Sequence, residues 1–344
     1  MKTNKQKKTY IIAEVGPNHN GSMKLALKYI KLLAKIGVNA VKFQLSKPEI
    51  ALSKDSFPAK YEKFSKGFKS KENIFETVKK RQLTKENHKK LAKVCKKYKI
   101  DYLCSAFDIE SLKFLNEKLK IKYFKVPSGE ILSLDMLKYL NNQNKIVILS
   151  TGMATFKEIA FSLSKLKSIK KKIILLHCVS NYPTSIEDTN LLVMKKLEEK
   201  FKCKIGFSDH TLSELASIAA VTLGATVIEK HVTLNKNLKG PDHKNSMNLK
   251  EFQSMVKKIR EIEKILGNEN KKISKKELEI AKVARKSVIS RFDLYPGTKI
   301  TEKNIYFKRP GTGILPSELK EILNKKLKKF VGKDRLILKK HLKN

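Results

Sequence analysis

Short apolar runs recur along this chain, and each closes on a polar residue. Residues 10–13 lead into Glu14, and residues 40–44 carry Lys42 and Gln44 around Phe43. Residues 102–104 lead into Ser105, and residues 123–126 carry Lys125 and lead to Ser128 and Glu130. Residues 146–149 end at Ser150, residues 173–179 at Ser180, and residues 205–208 lead through Ser208 to His210. An eighth run, 226–231, closes on Glu229-Lys230-His231. The segments between the runs carry helical spacing, clearest over residues 23–36, where Leu25, Ala26, Tyr29, Ile30, Leu33 and Ile36 share a face. Ser22 suits the start of that helix and Gly37 its end. Eight strand-like runs alternating with helices predict an α/β fold, a parallel (β/α)8 TIM barrel. The active site of such a barrel lies at the carboxyl ends of the strands. The polar residues fall at that end in nearly every run.

The pattern changes after the eighth helix, which the spacing predicts over 248–266. The expected division is a barrel over 1–266, a linker over 267–284 and a small β-rich domain over 285–344, with turn signals at Pro296-Gly297 and Pro310-Gly311. The polar stretch 45–82, with Pro48 and Pro58, reads as an insertion after the second strand, either a lid over the site or a surface excursion.

Composition narrows the class. With 41% apolar residues the chain can build a core. No apolar run approaches the ~20 residues that cross a bilayer, and the basic N-terminus is followed by too short an apolar stretch for a signal peptide. A cytoplasmic protein without a membrane partner is expected. Cys95, Cys104, Cys178 and Cys203 form no C-x-x-C pair and read as reduced thiols of the core. The net charge of +42 raises the alternative of a nucleic-acid or polyanion binder. The lysines, however, are spread through almost every helix and form no basic block with interleaved aromatics, so no nucleic-acid partner is expected.

The chemistry concentrates at the strand ends. His210 and His231 close consecutive runs, which places two imidazoles side by side at the barrel mouth. This arrangement suits a divalent metal with positions left for water and substrate, with Glu14 across the mouth. Lys42 and Lys125 at strand ends are costly unless they meet an anion. With Ser105, Ser128, Ser150 and Ser208 they predict a small phosphorylated carboxylic acid as ligand. Asp242 lies in a turn after the eighth strand and is placed to bind sugar hydroxyls. His177 reads as a buried, hydrogen-bonded histidine, and His88 and His341 read as surface residues.

Taken together, these stretches resemble the N-acetylneuraminate (sialic acid) synthase family: residues 12–21 (IAEVGPNHNG), 41–44 (VKFQ), 125–130 (KVPSGE), 149–153 (LSTGM), 177–183 (HCVSNYP), 206–211 (GFSDHT), 229–231 (EKH) and 240–243 (GPDH). Residues 308–314 (KRPGTGI) are similar to that family's antifreeze-like (SAF, β-clip) domain. The resemblance implies condensation of phosphoenolpyruvate with the open-chain form of N-acetylmannosamine, giving N-acetylneuraminate and phosphate by C–O cleavage. It implies Mn²⁺, or Mg²⁺ or Co²⁺, on His210 and His231. It further implies a phosphoenolpyruvate set of Lys42, Ser105, Lys125, Ser128, Ser150, Ser180 and Ser208, and sugar contacts from Gln44, Tyr182 and Asp242. Arg309 would reach the N-acetyl group from the partner of a domain-swapped homodimer. Glu14, Glu130 and Lys42 would be catalytic. The alternative within the family is an N,N'-diacetyllegionaminate synthase acting on a 2,4-diacetamido-trideoxy-mannose. Two departures stand out: Ser105-Ala106-Phe107-Asp108 where the family often has Thr-Pro-Phe-Asp, and Val179-Ser180-Asn181 where many sialic acid synthases have Thr-Asn-Ile.

Overall fold

A computed structural model describes residues 8–58 and 74–343. Its chain divides into two compact units, Met1–Asn268 and Glu269–Asn344. In the first, the eight apolar runs form strands β1 (Tyr10–Glu14), β2 (Ala40–Leu45), β3 (Asp101–Ala106), β4 (Tyr123–Val126), β5 (Ile146–Ser150), β6 (Ile173–Cys178), β7 (Lys204–Asp209) and β8 (Val227–Thr233). Each pairs in parallel with the next, and β8 returns to β1, with Glu14 beside His231, so the sheet is closed. A further short strand, β9 (Met247–Asn248), pairs with the end of β8 and was not visible in the apolar pattern.

The period-2 alternation of strand side chains sorts the barrel into an inside and an outside. Ile12, Ala40, Leu103, Ile148, Leu176 and Val227 pack together as one buried cluster, with Tyr10, Tyr123, Ile146 and Ile174 against it. The intervening residues, such as Ile11, Ala13, Val41, Phe43 and Ile228, pack in the larger core that the helices share. Gly206 is needed in β7, because a Cβ there would lie 2.5 Å from the Val227 carbonyl oxygen and 2.6 Å from Leu176 Cδ2. Two residues beyond the apolar cluster, on the same inward alternation, stand the polar residues at the strand ends.

The helix over Met23–Ile36 forms as its spacing predicts. Ser22 accepts the Leu25 amide, and Gly37 takes the left-handed conformation, φ 86°, at its end. The last barrel helix, Leu249–Leu266, is capped by Asn248 in a reciprocal box with Glu251. Among the described residues, the insertion after β2 holds the helices Pro48–Ala51 and Ile74–Arg81. The part of the expected lid over 59–73 lies outside the described residues.

The segment 267–284, expected as a linker, contains a helix, Lys275–Ala284. A Ser274–Glu277 capping box starts it, and none of its residues is buried, Leu278, Ile280 and Val283 being exposed. In the second unit, β10 (Ser287–Ser290) and β11 (Ile305–Lys308) pair antiparallel. Val288, Leu294, Ile300, Ile305, Ile314, Leu327, Val331 and Ile337 form its own core. Among the described residues no helix is long and apolar enough to cross a membrane.

Candidate active site

The carboxyl ends of the strands open into a cavity of about 510 Å³. Every site residue expected from the barrel sequence lines it: Glu14, Lys42, Gln44, Ser105, Lys125, Ser128, Glu130, Ser150, Ser180, Tyr182, Ser208, His210, His231 and Asp242. Arg309 belongs to the second unit, where it is exposed.

Lys42 and Lys125 are both buried in the barrel mouth. Lys42 Nζ donates to Ser105 Oγ at 3.1 Å and lies 3.2 Å from Glu14 Oε2 and 3.4 Å from Glu229 Oε1. Lys125 Nζ donates to Ser150 Oγ at 2.8 Å and lies 3.6 Å from Glu229 Oε1. Ser208 Oγ donates to the same Glu229 oxygen at 3.0 Å. Glu229 therefore holds both ammonium groups, a role the sequence reading did not give it. The signal was available in the alternation, since a residue two before an inward His231 in a strand must also point inward.

Burial opposes ionisation of Glu229, but Lys125, Lys42 and the Ser208 hydroxyl outweigh it and hold the carboxyl at about 2. Glu14 goes the other way: burial, with Glu229 adding to it, overcomes the pull of Lys42 and raises it to about 7. Burial, only partly offset by Glu229, lowers Lys125 to about 8. Glu14 Oε1 accepts from the Gln44 amide at 2.9 Å. Glu130, across the cavity, accepts from Ser133 and is raised by burial.

The β5 end is shaped around Gly152. Its amide donates to Ser128 Oγ at 3.1 Å. A Cβ there would fall 2.2 Å from Ser180 Oγ and 2.7 Å from Ser128 Oγ, so glycine lets the hydroxyls that follow β4 and β6 come together.

The histidine pair lies beside this cluster, with ring centroids 5.5 Å apart and Tyr182 packed against both. His210 Nδ1 lies 2.7 Å from the Val179 carbonyl oxygen. A carbonyl only accepts, so Nδ1 carries the proton and Nε2 keeps its lone pair. Burial opposes protonation of His210, but Cys178 and Val179 outweigh it and raise its pKa. His231 Nδ1 is buried without a hydrogen bond and stands 3.3 Å from Asp242 Oδ2. Burial, with His210 and Lys42 nearby, keeps His231 neutral by pushing it well below its ordinary value.

Among the described residues no group of three or more His, Cys, Asp or Glu side chains converges as a ready metal site. Two imidazoles with nitrogen lone pairs, one of them orphaned by burial, fit a catalytic ion that completes its shell from water and substrate. They do not fit a closed structural ion.

Cys178 and His19 also line the cavity. Cys178 lies 3.7 Å from His210 Nδ1. Burial would raise its thiol, but His210, Ser128 and Lys125 lower it to about 7. His19, read only as part of a turn, lines the cavity, and burial lowers it to about 4. All four cysteines are free and buried. His177 is the buried, bonded histidine expected, 2.8 Å from the Thr189 carbonyl oxygen. His88 corrects the expectation of a surface residue: it is fully buried, with Nδ1 2.6 Å from the Tyr102 hydroxyl. Its chain neighbours Glu86, Asn87, Lys89 and Lys90 are all polar, which hid an inward-facing position among them.

The profile of the NeuB family matches residues 29–271, and that of the SAF domain matches residues 285–343. The chain is similar to the N,N'-diacetyllegionaminic acid synthase of Campylobacter jejuni, 42% identical over 334 residues, covering 96% of this chain and 99% of that one. It is similar to the protein of the same name from Legionella pneumophila, 37% identical over 338 residues, covering 97% and 94%. Among solved structures it resembles the N-acetylneuraminic acid synthetase of Leptospira borgpetersenii, with a TM-score of 0.70 and 33% identity over 80% of this chain and 90% of that one.

Proposed function

The chain belongs to the NeuB family, and we propose that it is an N,N'-diacetyllegionaminate synthase, condensing phosphoenolpyruvate with a 2,4-diacetamido-trideoxy-mannose. This reverses the order of the two sugars read from the sequence, where N-acetylmannosamine came first. The observation that carries the choice is full-length similarity to two relatives that both bear the legionaminic name. The choice between closely related sugars rests on few contacts, because one added or missing group changes transition-state binding by only ~1–3 kcal/mol in an apolar pocket.

In this reading the carboxylate and phosphate of phosphoenolpyruvate occupy the Lys42–Lys125 end, with the hydroxyls of Ser105, Ser128, Ser150, Ser180 and Ser208. The open-chain sugar lies toward Gln44, Tyr182 and Asp242, its aldehyde at the histidine pair. A divalent ion, Mn²⁺ before Mg²⁺ or Co²⁺, would be held by His210 and His231 and would supply Lewis acidity at the aldehyde oxygen. The methylene carbon of phosphoenolpyruvate forms the new bond to the aldehyde carbon, and the aldehyde oxygen takes a proton to become a hydroxyl. Positive charge develops at the adjacent enol carbon, where water adds. The bond from that carbon to the phosphate oxygen then breaks, releasing inorganic phosphate and leaving the 2-keto acid. Glu14, raised toward neutrality by burial, accepts the proton of the adding water, and Glu130 serves proton transfer on the sugar side.

The test is phosphate release by the purified protein with phosphoenolpyruvate and Mn²⁺, offering each sugar in turn. A kcat/KM at least about tenfold higher for the diacetamido sugar is expected, in line with a contact of ~1–3 kcal/mol. The opposite preference restores N-acetylmannosamine, and no release with either sugar removes the enzyme reading. Chelation should abolish turnover and Mn²⁺ should restore it; turnover that survives chelation unchanged excludes the metal.

A further inference from the structure

On the outer side of the barrel, behind the two histidines, Lys230 Nζ lies 2.8 Å from Asp209 Oδ2, the two side chains being 2% and 0% exposed. The same ammonium donates to the Thr211 carbonyl oxygen at 2.7 Å. Asp209 in turn accepts the Thr211 amide at 2.8 Å on Oδ1 and the Ser217 hydroxyl at 2.6 Å on Oδ2. Asp209 and Lys230 are register partners across β7 and β8. The residues on both sides of His210 are thus tied to the residue that immediately precedes His231.

Stability does not explain this pair. Removing two charges from water costs several kcal/mol per ion, and buried ion pairs are often replaceable by apolar residues of similar volume at no loss of stability. What an ion pair with directional hydrogen bonds provides is register, and here the register fixed is that of two strand ends whose next residues are the imidazoles. Side chains alternate along a strand, so a slip or rotation at 209 or 230 would carry His210 or His231 off the cavity.

We propose that the Asp209–Lys230 pair is a positioning device for the histidine pair: it touches neither substrate nor ion and sets the separation and orientation of His210 and His231. It rests on the reading of those histidines as the metal-binding pair.

The test uses D209N/K230M, a near-isosteric neutral pair that leaves neither charge stranded. Histidine-selective isotope labelling makes the chain's seven histidines individually readable by NMR. Expected are a thermal midpoint close to that of the parent, imidazole shifts at His210 and His231 with the other five unchanged, and Mn²⁺ affinity and kcat both lowered by roughly 10- to 100-fold, the usual effect of losing a residue that orients a ligand. S217A, a milder cut through the same network, should move the same two signals by less, and it keeps the test decisive if the double variant does not fold. Unchanged histidine signals, or a loss of stability with those signals and the Mn²⁺ affinity intact, would overturn the proposal. If the two signals move but the parent itself binds no Mn²⁺, the metal reading fails and the positioning role stands.

Discussion

Glu229 is a single buried carboxylate that balances two buried ammonium groups and a hydroxyl. An anionic substrate entering the mouth must compete with it for Lys42 and Lys125. Lys125→Met keeps the length of the side chain and removes the charge. Truncating one partner of a buried charged contact typically costs ~2–5 kcal/mol, so kcat/KM for phosphoenolpyruvate should fall by roughly 30-fold to several thousandfold. Steady-state kinetics at saturating sugar measures it; a loss below threefold would take Lys125 out of the anion site. His88 makes a second prediction at this scale. Burial holds it at about 3, against ~6.5 in an unfolded chain. The unfolded state then binds a proton that the folded state refuses. The contribution is full above pH 6.5 and is lost as pH falls toward 3, by about 1.4 kcal/mol for each pH unit in that window. Urea midpoints taken between pH 7 and pH 5 should fall less steeply in His88→Gln than in the parent, and equal slopes would show that His88 titrates freely in the fold.

At the scale of elements, the strands contribute inward polar residues at their ends and the loops after them complete the subsites. The β5 end depends on Gly152. In Gly152→Ala the new methyl meets two side-chain hydroxyls, Ser180 Oγ and Ser128 Oγ, which can rotate away, so the barrel should fold with a thermal midpoint within a few degrees of the parent. The hydroxyls would no longer converge, and KM for phosphoenolpyruvate should rise about tenfold, as for the loss of one or two hydrogen bonds of ~1 kcal/mol each. A variant with unchanged KM would separate those serines from the phosphoenolpyruvate site. Elements with a buried stripe, such as the helices Met23–Ile36 and Leu249–Leu266, were legible because 3.6-residue spacing and caps agree. The helix Lys275–Ala284 was not, since it buries none of its residues. Its Ser274–Glu277 capping box and the apolar Leu278, Ile280, Ala281 and Val283 lay inside a stretch read as linker.

For the whole molecule, the barrel and the C-terminal unit each carry a core of their own. The family resemblance has Arg309 completing the site of a second subunit. Arg309→Ala should therefore raise KM for the sugar by roughly tenfold or more, the loss of a charge-assisted hydrogen bond of ~1.5–3 kcal/mol, with KM for phosphoenolpyruvate unchanged within about twofold. An equal loss for both substrates would exclude a specific contact with the sugar. The sequence alone determined the eight strands, their closure into a barrel and the strand-end residues, because strand periodicity and the fixed location of barrel sites turn a linear pattern into a place. Tertiary structure alone decided which of those residues share a hydrogen bond or a charge: that Glu229 joins Lys42 to Lys125, that Glu14 is raised while Glu229 is lowered, and that Lys230 binds Asp209 behind the histidines. Electrostatic partnership and burial depend on distances across the barrel between residues far apart in the chain, and no local pattern encodes those distances.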